Sequence, residues 1–554
     1  MEVAQQSSAR LRRQLIQGGL RRWKSVPSGT PESKQSKQAL HAIEMLVRFA
    51  LHKGLIEAAD VDYSRNLLLE DFGFSEPYGD EVNEQIPDGP QAMLDILIDY
   101  GAANGLIPEN TDTYRDLLDA KIMGRLIARP SEVTARFRAA QQEQGIIAAT
   151  QQFYDLCIDS NYIRMDRVAK NEYWRHASAY GDIEITINLS KPEKSPKEIA
   201  MAKLLPPPVY PKCQLCRENV GYAGRVNHPA RQNLRIIPLE LNGERWFFQY
   251  SPYVYYNEHC IVFHHDHVPM KLTRETLARL LSFVDAYPHY FLGSNADLPI
   301  VGGSILTHDH FQGGRHSFPI QKAPKVAGFS HEAYPGVSVS IVKWPMSVIR
   351  LASSDRGLLL ECANSIYENW KFYSDPSQDI EAFSEVKGER VRHNTVTPIA
   401  RQNDEGIYEL DLVLRNNRTS ERHPEGIFHP HREMFHIKKE NIGLIEVMGL
   451  AILPGRLKEE LDQIAEVLVG NEKLYADSQA PDHPLAVHGD WIEELRERGA
   501  ALSDKAEAME LIRQEVGKKF TTILEHAGVY KQTEDGQQAF EQFLSRMGFQ
   551  RESM

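Results

Sequence analysis

Apolar residues in the first part of the chain recur every three or four positions, the spacing of a helix that buries one face. Two segments show this most clearly, with the apolar sets Ile43, Leu46, Val47, Ala50 and Leu51 and Met93, Leu94, Leu97 and Ile98. A short phrase is also repeated, because Gly54-Leu55-Ile56 recurs 51 residues later as Gly105-Leu106-Ile107. Two copies are too few for a solenoid. The sequence therefore predicts a helical region over residues 1–170 with an internal duplication.

From about residue 180 the apolar pattern changes to alternation, which is typical of half-buried strands. Residues 182–189 alternate cleanly, and residues 239–248 predict a hairpin around Asn242-Gly243, the strongest short-range hairpin signal. A buried strand at residues 260–263 and a helix at residues 274–287 follow. This order predicts antiparallel strands with helices packed on one side.

A second β-rich stretch contains predicted strands near residues 338–342, 348–351 and 407–414. From Arg456 onward the sequence is charged and helical again. The predicted fold class is α+β, with two related halves of antiparallel sheet and packed helices between helical ends. The predicted divisions are residues 1–170, 171–330, 331–455 and 456–554.

Composition narrows the functional classes. The 554-residue chain is long enough for several domains, and its net charge of −13 argues against a surface for nucleic acid or anionic membrane. The longest apolar run, residues 445–453, contains Glu446 and is too short to cross a bilayer. Five cysteines, a small and odd number, fit a reducing compartment and argue against disulfides. We therefore expect a cytoplasmic protein.

The most informative segment, residues 302–314, holds His308, His310 and Gln312 between two glycine pairs. In an extended strand these three side chains share one face, with successive residues about 7 Å apart. An imidazole with an ordinary pKa near ~6.5 is largely a neutral nucleophile at cytoplasmic pH. Glycines let a backbone approach a phosphate with no Cβ in the way. The pattern predicts a histidine that attacks phosphorus, beside an amide that donates to a phosphoryl oxygen.

Cys213 and Cys216 form a Cys-x-x-Cys pair, which is redox-active in some proteins and a metal chelate in others. Nothing around the pair resembles the strand–helix context of a thioredoxin, so the spacing favours zinc. A structural zinc site needs four Cys or His ligands. His267, after the strand at residues 260–263, and His308 are the predicted remaining ligands. The alternative is a pair of structural or solvent-facing thiols.

Together these motifs resemble galactose-1-phosphate uridylyltransferase in its longer, type-two bacterial form, within the histidine-triad superfamily. They are Cys-x-x-Cys, then Phe-His-His-Asp-His at residues 263–267, then His-Asp-His-Phe-Gln-Gly-Gly at residues 308–314. Residues 225–233, 253–260 and 428–436 also look like that form. The recognisable motifs span roughly residues 170–455, and the helical flanks look like the same longer form. The resemblance implies two histidine-triad-like sheet halves.

The resemblance also implies an activity. The family moves UMP from UDP-glucose to galactose 1-phosphate by a ping-pong mechanism, and its second motif histidine carries the UMP, a role that falls on His310. The first motif histidine binds metal in the family, which agrees with Zn²⁺ on His308. Hydrolases of the superfamily have a third histidine where this chain has Gln312. An amide donates to a phosphoryl oxygen but gives water no proton acceptor, so Gln312 favours transfer. The family further implies a homodimer.

Polar residues crowd the segment beside the zinc motif and are predicted to contact the diphosphate or ribose: Arg225, Asn227, Arg231 and Asn233. The alternative is a charged loop with solvated side chains. Gly303 and Ser304, which precede the histidine motif, are also assigned to substrate binding. Asp309 departs from the family, which has proline or an apolar residue at this place. On the other face of the strand, Asp309 is expected to be solvated or paired.

A second histidine cluster, formed by His429, His431 and His436 with Glu433, has the look of a metal site. In related enzymes the second half can hold iron or zinc. The alternative is a strand His-x-His that is an inert copy of the first motif. Lys438 and Lys439 follow and either reach a sugar phosphate or form an exposed basic pair.

Two other functional classes fit parts of the sequence. One is a histidine-triad hydrolase or dinucleotide phosphorylase, and Gln312 argues against hydrolysis. The other is a non-catalytic, zinc-stabilised nucleotide-sugar-binding module in which His310 is silent. The intact glycine pairs around His310 argue against decay of a catalytic site. The leading hypothesis is a uridylyltransferase of galactose metabolism.

Overall fold

The computed structural model describes residues 33–190, 209–303, 305–498, 502 and 504–552. Within these described residues, seven α-helices precede the first strand, in agreement with the apolar spacing of this region. They are α1 (Lys34–His52), α2 (Val61–Phe72), α3 (Gln91–Ala103), α4 (Asp112–Arg125), α5 (Pro130–Gln144), α6 (Ile146–Asp159) and α7 (Met165–Val168). No helix within the described ranges is long and apolar enough to span a membrane.

The repeated phrase marks the ends of two equivalent helices, α1 and α3. Gly54 and Gly105 follow them with left-handed φ angles of 66° and 71°, a conformation that glycine adopts without steric cost. The next residue closes each helix with the same backbone bond, from Leu55 to the carbonyl of Ala50 (2.9 Å) and from Leu106 to that of Gly101 (2.8 Å). Both leucines then enter the core shared by these helices.

Sixteen strands are found in the described residues. They are β1 (Glu172–Ser178), β2 (Gly181–Ile187), β3 (Ile237–Leu241), β4 (Glu244–Tyr250), β5 (Cys260–His264), β6 (Phe291–Gly293), β7 (His310–Gly314), β8 (Lys325–Ser330), β9 (Ser338–Val342), β10 (Val348–Ser353), β11 (Phe383–Val386), β12 (Glu389–Arg392), β13 (Asn394–Gln402), β14 (Tyr408–Asn416), β15 (Leu450–Leu453) and β16 (Gln550–Arg551). The predicted hairpin is confirmed, with φ of 51° at Asn242 and 79° at Gly243 between β3 and β4.

The remaining helices lie between and after these strands. They are α8 (Arg274–Ala286), α9 (Pro319–Lys322), α10 (Arg356–Phe372), α11 (Leu444–Val447), α12 (Arg456–Leu468), α13 (Glu472–Ser478), α14 (Gly489–Arg498), α15 (Lys505–Ala527) and α16 (Glu534–Arg546). The helix expected at residues 274–287 is therefore confirmed to within one residue. With helices packed on antiparallel sheet, the α+β fold class is confirmed as well.

One antiparallel sheet of eleven strands runs through the middle of the molecule, in the order β16-β8-β9-β10-β14-β13-β6-β7-β5-β4-β3. The two sheet halves meet where β13 pairs with β6, so they form one continuous sheet. A separate three-stranded sheet is made of β1, β2 and β15, with β15 parallel to β2. These pairings join segments far apart in the chain, which alternation alone does not reveal.

Two apolar cores cover the two sheets. Helices α8 and α10 bury Leu280 and Ile366 against the large sheet, and α6 adds Phe153, whose ring lies 5.9 Å from that of Phe248 on β4. Helices α12 and α15 bury Ile464 and Phe520 in the second core, with the three-stranded sheet. Strand β7 lies in the interior of the large sheet, between β5 and β6, where its position is fixed on both sides.

Candidate active site and metal centre

Strand β7 places the histidine motif against β5. Phe263 pairs with His310 and Ile261 pairs with Gln312, so these four side chains lie on one face of the sheet. His308 lies in a bend before the strand, and β7 begins at His310. The expectation that all three motif residues share one strand is therefore correct only from His310 onward.

Glycines are needed at Gly313 and Gly303 because neighbouring atoms leave no room for a Cβ. A Cβ on Gly313 would lie 2.5 Å from the carbonyl oxygen of Phe291 on the adjacent strand. A Cβ on Gly303 would lie 2.8 Å from the side-chain amide of Asn295. The sequence suggested that these glycines allow close approach to a phosphate. The structure shows that packing of the neighbouring strand and loop also requires glycine at these positions. Ser304 lies outside the described residues.

The four predicted metal ligands come together, with their ligand atoms all within 4.8 Å of one another. Cys213 Sγ lies 3.3 Å from Nδ1 of His308 and 3.5 Å from Cys216 Sγ. Cys216 Sγ lies 3.3 Å from Nδ1 of His267. Two thiols and two imidazoles are the donor set of a structural zinc site. Burial raises the pKa of the Cys213 thiol, so a bound cation would be needed to hold this sulfur as a thiolate.

Surrounding groups orient this donor set. Nε2 of His308 donates to the carbonyl of His264 at 2.9 Å, which leaves Nδ1 as the ligand atom. The Asn219 amide donates to the carbonyls of Cys213 (2.9 Å) and Cys216 (2.7 Å), and Nε2 of His228 lies 2.7 Å from Asn219 Oδ1. The residues present therefore fit Zn²⁺, with a cysteine loop held in place by its own hydrogen bonds.

His310 has the tautomer that a nucleophile needs. Its Nδ1–H donates to the carbonyl of His308 at 2.8 Å, so Nε2 carries the lone pair. Burial lowers the pKa of His310 to about 4, and the ring is neutral at pH 7. The carbonyl of His308 is thus the acceptor that a neutral His310 requires. A bare imidazole nitrogen in a buried site is suited to attack on an electrophilic phosphorus.

Gln312 is half-buried two residues further along β7. Its Oε1 lies 3.3 Å from Nε2 of His259, which is 2% exposed. No hydrogen bond of the Gln312 NH₂ group is found within the described ranges, so this donor is left for a ligand.

Comparison with known proteins agrees with this geometry. Residues 74–269 match the family model described as "Galactose-1-phosphate uridyl transferase, N-terminal domain", and residues 283–481 match the corresponding C-terminal domain. The galactose-1-phosphate uridylyltransferase of Caldanaerobacter subterraneus subsp. tengcongensis is 57% identical over 515 residues, which cover 93% of this chain and 99% of that protein. The chain belongs to the galactose-1-phosphate uridylyltransferase family.

Further relatives within the galactose-1-phosphate uridylyltransferase family are almost as similar. The Halalkalibacterium halodurans protein is 54% identical, covering 91% of this chain and 98% of that protein. The Bacillus subtilis protein is 50% identical, covering 91% and 97%. These relatives show that the chain is an enzyme, a uridylyltransferase. No solved structure matches this chain.

The predicted substrate-binding residues fall into two groups. Arg225 exchanges backbone hydrogen bonds with His228 (2.8 and 2.9 Å), which ties it to the cysteine loop through Asn219. Nε and Nη2 of Arg225 are buried without a hydrogen-bond partner in the described part of the chain. Asn227 is half-buried in the same turn.

Arg231 and Asn233 instead contact the helical region. The Arg231 guanidinium lies 5.6 Å from the ring centroid of Tyr162, and the Asn233 amide donates to the carbonyl of Ser160 at 3.0 Å. Asn233 is 4% exposed.

Asp309, the departure from the family pattern, is buried rather than solvated. It is 8% exposed, and no ion pair of its carboxylate is found in the ranges described. Burial raises the pKa of Asp309 to about 6, and the charge of Arg279 partly offsets this. Its backbone extends the pairing of β7 with β5, because its carbonyl accepts from the N–H of His264 at 2.9 Å, and its own N–H donates to the carbonyl of Val268 at 2.7 Å.

The second histidine cluster is not assembled as the sequence suggested. His429 Nδ1 contacts the carbonyl of Pro430 at 3.0 Å, whereas His436 Nδ1 lies 2.8 Å from His488 Nδ1. All three histidines lie outside strands, next to a short turn at Arg432–Met434. The strand alternative is therefore wrong.

Of these three histidines, His431 alone belongs to a group of candidate metal ligands among the described residues. The group also contains the predicted Glu433 and the distant His526. The rings of His431 and His526 stack at 4.0 Å with an angle of 19°. Lone pairs lie in the ring planes, so those of nearly parallel rings do not converge on one ion. This arrangement suits stacking better than chelation.

Two site features escaped the sequence. Lys438 is 5% exposed and pairs with Glu446 (2.7 Å), so it is neither an exposed cation nor free to reach a sugar phosphate. His259 contacts Gln312 across 53 residues of sequence. Its only local signal is its place two residues before Ile261, and this gains meaning once β5 is known to pair with β7.

Proposed function

We propose that the chain exchanges UMP between UDP-glucose and galactose 1-phosphate through a covalent uridylyl group on His310. The name of its relatives, galactose-1-phosphate uridylyltransferase, supplies the reaction class and the galactose 1-phosphate substrate. The observation that carries the residue assignment is the His310 tautomer, with Nδ1–H on the carbonyl of His308 and Nε2 bare.

The exchange takes two displacements at one phosphorus. Nε2 of His310 forms a bond to the phosphorus that carries uridine, and the bond from that phosphorus to the bridging oxygen breaks. Glucose 1-phosphate leaves with the electron pair. A phosphate oxygen of galactose 1-phosphate then attacks the same phosphorus, and the P–N bond returns its electrons to Nε2 as UDP-galactose forms. Both leaving and attacking groups are phosphate anions at neutral pH, so neither step needs a strong acid or base.

Other residues bind and orient the nucleotide in this proposal. The Gln312 NH₂ group donates to a phosphoryl oxygen and offers no basic nitrogen to water. Arg225, with two buried nitrogens that find no hydrogen-bond partner among the described residues, neutralises the diphosphate. Asn227, Arg231 and Asn233 complete this segment, and Gly303 and Ser304 keep the substrate-binding role that the sequence assigns to them.

Cys213, Cys216, His267 and His308 would hold Zn²⁺, which when bound cross-links the cysteine loop to the segment after β5, through His267, and to the segment before β7, through His308. This role is structural. The proposal also includes a homodimer and a cytoplasmic location, which rest on the resemblance and on the small number of cysteines.

The first test is the mass of the intact protein after mixing with UDP-glucose alone. We expect the wild type to gain one UMP and to lose it when galactose 1-phosphate is added. His310→Asn should gain nothing, because its amide nitrogen is not a nucleophile. Gln312→Ala is the matched variant on the same strand face, and it should form the adduct at least about tenfold more slowly.

The same mixture distinguishes the competing functions. Free UMP accumulating without a stable adduct on the wild type would point to a histidine-triad hydrolase. Neither adduct nor UMP would favour a nucleotide-sugar-binding module. An adduct on His310→Asn would show that a residue other than His310 is the nucleophile.

A further inference from the structure

We propose that His259 is a positioning residue that fixes the orientation of the Gln312 amide, so that its NH₂ group faces the phosphoryl group on His310. This inference rests on the proposed function, because it assumes that Gln312 donates to phosphorus-bound oxygen during uridylyl transfer. It adds a residue to which the sequence motifs assign no role.

Strand pairing brings the two side chains together. Ile261 on β5 lies directly opposite Gln312 on β7. His259 precedes Ile261 by two residues and so lies on the same face, in the diagonal position from which long side chains reach across a pair of strands. The resulting contact joins Nε2 of His259 to Oε1 of Gln312 at 3.3 Å.

The His259 ring is held on all sides. It packs at a tilt against the ring of Tyr256, with centroids 4.6 Å apart, and against that of Tyr255 at 5.4 Å. Its backbone N–H donates to the carbonyl of Tyr256 (3.2 Å), and its carbonyl accepts from Ser251 (2.8 Å). The ring is 2% exposed and has little room to rotate. A rigid donor of this kind fixes its partner, whereas a surface histidine would follow it.

The protonation state decides which way the amide points. Burial lowers the pKa of His259 to about 3, so the ring is neutral and has one N–H. Nδ1 is buried with no partner within the described ranges. A buried N–H without an acceptor costs more than a bare nitrogen in the same place, so the proton belongs on Nε2. Nε2–H then donates to an acceptor, which on Gln312 is Oε1.

The consequence for catalysis follows from the geometry of a primary amide. With Oε1 held by His259, the NH₂ group must point to the other side, and it has no other hydrogen bond in the described chain. Rotating the amide by 180° would place Oε1 toward the phosphoryl oxygens and set two acceptors against each other. His259 therefore opposes the orientation that would repel the substrate.

The test is a double-mutant cycle on the single-turnover rate of adduct formation with UDP-glucose. His259→Phe keeps the aromatic stack and removes the donor, and we expect it to slow adduct formation about tenfold. In a Gln312→Ala background the same change should alter the rate by less than about twofold, because no amide remains to be oriented. Equal losses in both backgrounds, or no loss in the wild-type background, would overturn the proposal.

A pair of conservative variants keeps the test meaningful if His259→Phe does not fold. The amide nitrogen of His259→Gln falls near the former Nε2 and should restore most of the rate. His259→Asn places its nitrogen near the former Nδ1 and should behave like the donor-free variant. Equal rates for the two would contradict the assignment. His289→Phe is the control. It removes the hydrogen bond of a half-buried histidine to Thr150 (3.0 Å) and should leave the rate unchanged.

Failure of this inference is distinguishable from failure of the proposed function. If wild type forms no adduct, the uridylyl-histidine itself is wrong. If wild type forms the adduct and the losses in the cycle are additive, only the role of His259 is wrong.

Discussion

Arg225 and Arg350 are arginines with opposite surroundings. Arg350 is 4% exposed and makes two hydrogen bonds to the Asp411 carboxylate, at 2.7 and 2.9 Å. The charges of Arg401 and Arg350 lower the pKa of Asp411 to about 2, against its burial. Arg225 has two buried nitrogens and no counter-charge in contact within the described residues. A stabilising role explains the surroundings of Arg350, whereas Arg225 is proposed to bind a ligand.

This difference predicts opposite effects of the same substitution. Arg225→Met removes an unsatisfied charge, so we expect unfolding stability to stay equal or to rise by about 1 kcal/mol. Its KM for UDP-glucose should rise tenfold or more, the order of one charge-assisted hydrogen bond. The matched variant Arg350→Met leaves the buried Asp411 with Arg401 as its remaining ion-pair partner and should lose about 3 kcal/mol of stability. Urea titration and steady-state kinetics measure both, and a destabilised Arg225→Met with unchanged KM would assign Arg225 to the fold.

The cysteine loop has little regular secondary structure and is held mainly by hydrogen bonds from side chains. Residues 213–219 form a turn followed by a short helical segment at Arg217–Asn219. Asn219 holds two loop carbonyls, and His228 holds Asn219. Leu215 is the apolar side chain that this irregular loop buries, so the loop has little hydrophobic stabilisation of its own. We therefore expect a metal ion to supply what packing does not.

The prediction for this element concerns metal content and stability together. Cys213→Ser combined with Cys216→Ser should reduce bound zinc from one ion per chain to none and lower stability by about 3 kcal/mol or more. Elemental analysis and thermal unfolding measure the two effects. Cys362→Ala, at a fully buried thiol on α10, is the control: it should lose stability through a cavity and keep its metal. Retention of both properties in the double variant would rule out the metal site.

The whole molecule buries many neutral histidines. Burial lowers the pKa of His259 and His436 to about 3, and that of His228, His289 and His526 to about 4. In the unfolded chain these rings bind protons near pH ~6.5. Between about pH 6.5 and pH 4 the unfolded state thus holds more protons than the native state. The stability is fully present above this window and is lost as the pH falls through it.

The matching prediction compares the wild type with a variant lacking one titrating ring. Wild-type unfolding free energy should fall steeply between pH 7 and pH 5. His289→Gln can still bond Thr150 but cannot be protonated, so the fall should be smaller by about 1–2 kcal/mol. Urea unfolding at the two pH values gives the slopes, and taking their difference cancels any contribution from the metal ligands. Identical slopes would mean that His289 is not neutral by burial.

How much of the protein the sequence predicts depends on how local the determining interaction is. The hairpin at Asn242-Gly243 was predictable because a two-residue turn depends on the φ angles of its own residues. The grouping of Cys213, Cys216, His267 and His308 was predictable because thiols and imidazoles are the donors that a four-ligand metal site needs. The metal set at His429, His431 and His436 was not, because His436 bonds His488 and His431 stacks on His526, 95 residues away.

The sequence by itself determined the kind of element in each segment, the α+β class and the chemistry of His310, Gln312 and the cysteine pair. These follow from apolar periodicity and from the functional groups of single residues. Only the tertiary structure decided that the sheet is continuous through β13 and β6, that the carbonyl of His308 holds His310, and that His259 faces Gln312. The first and the last depend on strand register, which is fixed by packing between segments far apart in the chain, whereas the contact of His310 with His308 depends on the bend before β7.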